Sequence, residues 1–280
     1  MLTIRPMRRD DIPLGLELCR AARWNQLEAD WRRLLAIEPG GLFVCEADGR
    51  PCATASTTSY GTQSGWIGML LVHADFRRRG IGTAMIQRCI ETLEAKRIES
   101  IKLDATDQGR PVYRKIGFRD ERPIVRYAGA VPPGATPHRG VRPMAAADWP
   151  AVAALDRPAF GADRLRLLRR LAEDGRAVVA RGAEGLRGFG FSRPGHDAAF
   201  LGPVVAADAE AALAVVETLL ADLPEGQVFW DVLADHRAAV GMAESFGLAV
   251  DRRLTRMVLG EKMNPGEVGL VYGAAGFELG

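Results

Sequence analysis

Trp66-Ile67-Gly68-Met69-Leu70-Leu71-Val72, followed after His73 to Phe76 by Arg77-Arg78-Arg79-Gly80-Ile81-Gly82, is the stretch whose reading decides this chain. The first seven residues are an apolar run short enough, and rich enough in branched side chains, to be a buried strand. Beyond the glycines, Ile81, Met85, Cys89 and Leu93 recur every four residues with Ile86 and Ile90 beside them, the broad apolar face of a core-packed helix. Strand, glycine-rich turn and helix N-terminus then follow one another. That order aims unpaired backbone N–H groups and the positive end of a helix dipole at one point. Gly80 and Gly82 carry no Cβ, so an anion can come close to the backbone, and three arginines stand at the rim. The stretch predicts a phosphate-binding turn, although Gly-x-Gly before a helix is equally compatible with a plain structural turn.

Two downstream segments decide between these readings. Ser100-Ile101-Lys102-Leu103-Asp104 alternates like a second strand, and Pro111-Val112-Tyr113-Arg114-Lys115-Ile116-Gly117-Phe118 reads as a short helix with a glycine C-cap. An Arg-x-x-Gly-x-Gly turn, a strand, and Tyr-x-x-x-Gly-Phe in this order resemble the acyl-CoA core of the GNAT N-acetyltransferases. The Met-Leu-Leu-Val strand before the turn belongs to the same resemblance.

The resemblance implies an acetyl-CoA-dependent N-acetyltransferase that acts by direct attack of an amine in a ternary complex. It implies a coenzyme site made by Leu70, Leu71, Val72, Arg77, Arg78, Arg79, Gly80, Ile81, Gly82, Thr83 and Tyr113. Backbone N–H groups at Leu71 and its neighbours would polarise the thioester, and Tyr113 would serve the leaving thiolate. The competing reading for Tyr113 is packing before a Gly-Phe cap. Gly68 to Val72 contains no glutamate, where many relatives carry a base. Asp104 is then the candidate for orienting an amine or relaying its proton, against capping of the turn through Thr106. Trp24 and Asn25 fall in a helical segment that walls the acceptor pocket in this family and resemble a two-domain bacterial subgroup of the YitH type. Core packing is the competing reading for Trp24.

The chain restarts after its middle. Ala128 to Gly140 is rich in proline and glycine, and Ile4-Arg5-Pro6-Met7 with Asp11 and Pro13 reappears 137 residues further on as Val141-Arg142-Pro143-Met144 with Asp148 and Pro150. Gly117 and Arg126 match Gly247 and Arg256 at a spacing of 130. The expected organisation is a catalytic domain over 1–129, a linker over 130–140 and a degenerate copy over 141–280. The fold class is α/β (α+β), as tandem GNAT folds, each a mixed, mostly antiparallel sheet flanked by helices. In the copy, Ala206-Ala207-Asp208-Ala209-Glu210 replaces the arginine and glycine turn, and Ala243 stands at the place of Tyr113. Two carboxylates there repel a pyrophosphate. Asp231 and His236 are the residues of the second half expected to border an acceptor pocket at the domain interface, although a loop His beside an Asp is usually just solvated.

Composition narrows the alternatives. The 280 residues carry a net charge of +2, and arginine outnumbers lysine by 33 to 4 without a basic run interleaved with aromatics, so nucleic acid is not an expected partner. Cys19, Cys45, Cys52 and Cys89 show no Cys-x-x-Cys spacing, and reduced thiols in a cytoplasmic protein are expected. Neither a metal, a signal peptide nor a membrane partner is expected, because Arg5, Arg8 and Arg9 precede any long apolar run and Ala211 to Leu223 is too short to span. The expected acceptor is a small-molecule amine. A non-catalytic acyl-CoA sensor and an enzyme acting on protein or peptide amines are the rival readings, and oligomeric state is not decided by the sequence.

Overall fold

The computed structural model describes residues 1–260 and 265–280. The first half runs β1 (Leu2–Pro6), α1 (Ile12–Ala21), α2 (Glu28–Ile37), β2 (Leu42–Ala47), β3 (Arg50–Tyr60), β4 (Ser64–Val72), α3 (Ile81–Ala95), β5 (Ile101–Ala105), α4 (Arg110–Ile116) and β6 (Arg119–Ala130). The second repeats that order as β7 (Val141–Pro143), α5 (Trp149–Phe160), α6 (Leu165–Asp174), β8 (Arg176–Gly182), β9 (Gly185–Arg193), β10 (Ala199–Ala206), α7 (Ala209–Ala221), β11 (Gln227–Leu233), α8 (Arg237–Ser245) and β12 (Ala249–Leu259), and adds β13 (Val271–Gly273). The repeat extends to side chains. Arg5 grips both oxygens of Asp11, and Arg142 grips both oxygens of Asp148 in the same way. The Asp48-Gly49 hairpin is as expected, with both residues at positive φ. The strand β6 runs to Ala130, so the first residues of the proline- and glycine-rich stretch are sheet and the connection is 131–140.

Among the described residues, thirteen strands form one sheet in the order β1-β2-β3-β4-β5-β12-β6-β11-β10-β9-β8-β7, with β13 on β10. The two halves therefore exchange their last long strands. β12 lies between β5 and β6 of the first half, and β6 pairs with β11 of the second. Each exchanged strand is locked by a buried ion pair. Arg126 on β6 makes bonds of 2.7 and 2.8 Å to Asp231 on β11, and Arg256 on β12 makes bonds of 3.0 and 3.1 Å to Asp104 on β5. A large core shared by both halves gathers Leu18, Trp31, Trp66, Val152, Leu168 and Phe189; separate cores lie under α3 and under α7.

The central strand is bent where the site forms. β4 and β5 are parallel but pair only at Gly65–Ile101 and Trp66–Lys102, and beyond that they splay. A register shift against β3 coincides with Met69 at φ +51°, and the Thr54 hydroxyl holds the Met69 carbonyl at 2.9 Å. The bulge reverses the facing of the strand. Ile67 packs in the α3 core, yet Met69 and Leu71 pack in the shared core, and Leu70 and Val72 turn towards α3.

Candidate active site

Two cavities meet on the bent part of β4. One, of about 300 Å³, runs along Leu70, Val72, Arg77, Arg78, Gly80 to Thr83 and Tyr113. Its floor is the start of α3. The N-cap of that helix is Gly80 at φ +77°, which brings no side chain to accept a bond. The first helical bond is Ala84 N–H to the Gly80 carbonyl, so the N–H groups of Ile81, Gly82 and Thr83 have no protein partner among the described residues. A Cβ at Gly80 would meet nothing within 4 Å and one at Gly82 only Val72 at 3.9 Å, so the space above the turn is open. Open donors, a helix dipole and the exposed side chains of Arg77 and Arg78 fit a pyrophosphate. Arg79 lies apart from this lining and stacks on Phe76, 5.2 Å from its ring centre.

The corresponding turn of the second half is closed by its own chain. Asp208 caps α7 by accepting the Ala211 N–H at 2.9 Å, and Arg187 pairs with Asp208 and Glu210. β10 and β11 pair only over Ala199–Leu201 and Val228–Trp230, and β13 fills the opening by pairing with Val204 and Val205. Trp230 Nε1–H donates to the Tyr272 carbonyl at 3.1 Å and fastens it there. The second half thus keeps the fold while its donor slot holds protein.

The other cavity, of about 190 Å³, adjoins the first at Leu70 and Tyr113 and is walled by both halves. Trp24, Asp104 and Tyr113 line it, together with Gln26, Arg126, Arg252, Leu254, Phe277 and Glu278. Tyr113 is half-buried, and burial pushes its phenol up to about 12. Asp104 has both its oxygens engaged by Arg256 and a fully buried side chain, and burial lifts its carboxyl above the ordinary aspartate range against the pull of Arg256. Asn25 braces the two halves: its amide donates to the Ala198 carbonyl at 2.9 Å and its oxygen accepts the Asp197 and Ala198 N–H groups at 2.8 and 3.1 Å. It lines only a small neighbouring cavity, next to Glu278.

Asp231 and His236 do not border the acceptor-side cavity. Asp231 is consumed by Arg126, and His236 caps α8 through Nδ1 while its Nε2 contacts the Gly269 carbonyl at 3.0 Å. What the second half sends instead is β12 and the segment 274–280. In that segment Glu278 is 5 % exposed, and burial lifts its carboxyl above the ordinary glutamate range. The segment is held on both sides: Trp66 Nε1–H donates to the Phe277 carbonyl at 3.0 Å and the Tyr60 hydroxyl to the Leu279 carbonyl at 2.7 Å. A Cβ at Gly68 would come within 2.8 Å of the Glu278 carbonyl oxygen, so a glycine on β4 admits the segment. The glycine-rich stretch from Tyr272 was visible in the sequence, but nothing there tied its lone glutamate to a strand two hundred residues away.

Family models described as acetyltransferase (GNAT) family and acetyltransferase (GNAT) domain match residues 13–118 and 152–273 respectively. The uncharacterized N-acetyltransferase YitH of Bacillus subtilis is 26% identical over 79% of this chain and 78% of its own length. The acetyltransferase ECA0875 of Pectobacterium atrosepticum is 34% identical over 42% of this chain and 87% of its own. A solved Pyrococcus horikoshii structure, assigned as an acetyltransferase, superposes with a TM-score of 0.86 at 25% identity, covering 100% of this chain and 96% of that one. A tandem GNAT protein from the clavulanic acid biosynthesis pathway shares the fold, with a TM-score of 0.66 at 16% identity over 94% of this chain and all of its own. With two matched domains, an open phosphate turn in one and a closed one in the other, this chain is a tandem member of the GNAT acetyltransferase family.

Proposed function

We propose that this acyltransferase moves the acetyl group of acetyl-CoA to the primary amine of a small molecule, by direct attack while both are bound. The observation that carries the reading is the meeting of the two cavities at Leu70 and Tyr113. One is suited to a pyrophosphate-bearing donor and the other is a smaller, less open pocket suited to a compact acceptor. The first turn of α3, with Arg77 and Arg78, holds the phosphates. When bound, acetyl-CoA supplies an activated thioester. The backbone around Leu70 and Leu71, unpaired on the β5 side because the strands splay, offers N–H groups to its carbonyl oxygen. Preorganised donors of that kind contribute on the order of a few kcal/mol to the transition state.

Tyr113 stays a neutral phenol, and its pKa of about 12 lies well above that of a thiol, near ~8.5. It therefore serves the departing sulfur as a hydrogen-bond donor. No cysteine or serine among the described residues lines either cavity, which favours direct attack over an acyl-enzyme. Arg252 lines the acceptor cavity and makes no ion pair among the described residues, which favours an acceptor that also carries an anionic group.

Thiol release from acetyl-CoA, followed with amino acids, polyamines, aminoglycosides and peptides, tests the proposal. Acceptor-dependent release with a small amine is expected. Coenzyme binding with no acceptor-dependent release in any class would favour the sensor reading, and release with peptides alone would favour a protein acceptor.

A further inference from the structure

We propose that Glu278, carried into the first half's site by the second half, is the general base that deprotonates the acceptor amine. The assignment rests on the acetyl-transfer reading above. Among the described residues two carboxylates line the acceptor cavity, Asp104 and Glu278. Asp104 has both oxygens engaged by Arg256, and a proton placed there would break a bidentate buried pair. Glu278 has a single long ion-pair contact, 3.4 Å from Arg193 Nη2, and a place in the wall that Tyr113 and Leu70 also line.

The setting suits a base. The charged groups that bear on Glu278 are Arg193 on β9 and Arg126 on β6, which favour its ionised form, and Asp30 on α2, which opposes it. Burial outweighs the arginines and raises its basicity. Arg126 is itself neutralised by Asp231, and Arg193 also donates to the Ala275 carbonyl at 2.8 Å and the Gly202 carbonyl at 3.2 Å. Position is fixed by bonds from Trp66 and Tyr60 to the residues flanking Glu278. A base placed by backbone anchors on both neighbours does not need a rigid side-chain partner.

The protons balance. An ammonium acceptor gives one proton to the Glu278 carboxylate, which later passes it to solvent. The freed nitrogen lone pair forms the N–C bond as the C–S bond breaks, its electron pair leaving on sulfur. The second nitrogen proton passes through solvent to the thiolate sulfur, which Tyr113 steadies by a hydrogen bond. Products are the amide, the free thiol and one proton in solution.

The test compares two acceptors on the full chain: butylamine, an ammonium ion at neutral pH, and hydroxylamine, largely neutral there. Glu278→Gln should lower kcat/KM for butylamine at pH 7 by about 100-fold or more, within the range for removal of a general base, and change that for hydroxylamine by less than about fivefold. Glu278→Asp should recover part of the butylamine rate. In the wild type, kcat/KM for butylamine should rise with pH through an inflection that Glu278→Gln abolishes, with acetyl-CoA affinity unchanged between the two. Equal losses on both amines, or no loss, would overturn the assignment while leaving the acetyltransferase reading intact. Wild-type protein that binds acetyl-CoA but transfers to neither amine, nor to any of the amino acids, polyamines, aminoglycosides and peptides above, would overturn both.

Discussion

The most local part of the proposed chemistry is the one assigned to Tyr113. Burial, followed by a smaller effect of Cys89, keeps its phenol protonated up to about 12, so its ionisation adds no alkaline loss of activity below roughly pH 11. Its ring packs 6.0 Å from Phe118 and lies beside Gly109, contacts that a phenylalanine would keep. Tyr113→Phe should therefore lower turnover by about tenfold to a thousandfold, the span expected for losing a donor to developing charge, and leave acetyl-CoA affinity nearly unchanged. Calorimetry and single-turnover thiol release separate the two effects. A wild-type chemical rate in the variant would reduce Tyr113 to a packing residue.

On the proposed reading, helix starts decide which half can bind coenzyme. α3 begins at a left-handed glycine with open N–H groups, whereas α7 begins at an aspartate that takes up its own donor and lies in a half whose strand opening is filled by β13. One acetyl-CoA per chain is the expected stoichiometry by calorimetry. Gly82→Asp should abolish that binding, because a Cβ fits there but a carboxylate would face the phosphates. A second equivalent of coenzyme, or full affinity in the variant, would contradict this account of the turn. The bulge at Met69 acts at the same scale. It holds a non-glycine residue in a left-handed conformation at a penalty of about 1 kcal/mol or more, offset by the Thr54 bond and the packing of Met69 in the shared core.

The exchange of β6 and β12 makes the molecule one cooperative object. A fragment 1–135 keeps β6 but removes both of its neighbours, β12 and β11, and exposes the β12-facing edge of β5. It also strips Arg256 from Asp104 and Asp231 from Arg126, and removing one partner of a buried ion pair destabilises by about 3–5 kcal/mol. The fragment alone should be unfolded or aggregated by circular dichroism and gel filtration, and co-expression with 136–280 should restore a soluble, coenzyme-binding complex. The full chain should melt in a single calorimetric transition. A monomeric, folded fragment 1–135 that binds acetyl-CoA would show that strand exchange is dispensable.

The residues by themselves determined the parts of this protein that depend on neighbours along the chain. The strand-turn-helix at Gly80 to Thr83, the Tyr113 helix with its Gly117 cap and the repeat at Asp11 and Asp148 follow from local backbone geometry, which a short window contains. The closed turn at Asp208 was legible for the same reason, as charge at a helix start. Only the tertiary structure decided which strands pair across the halves, because β6 and β12 are copies of one another, with Arg126 and Arg256 at matching places, and either could complete either half's sheet. That choice consumed Asp104 and Asp231 in ion pairs and turned Asn25 into a brace. It also brought Glu278 against Gly68, a contact between residues 210 positions apart that no periodicity encodes. The proposed donor site is a property of one continuous segment, so its candidate residues could be read there; the wall of the neighbouring cavity is assembled by packing, and packing alone sets which groups line it.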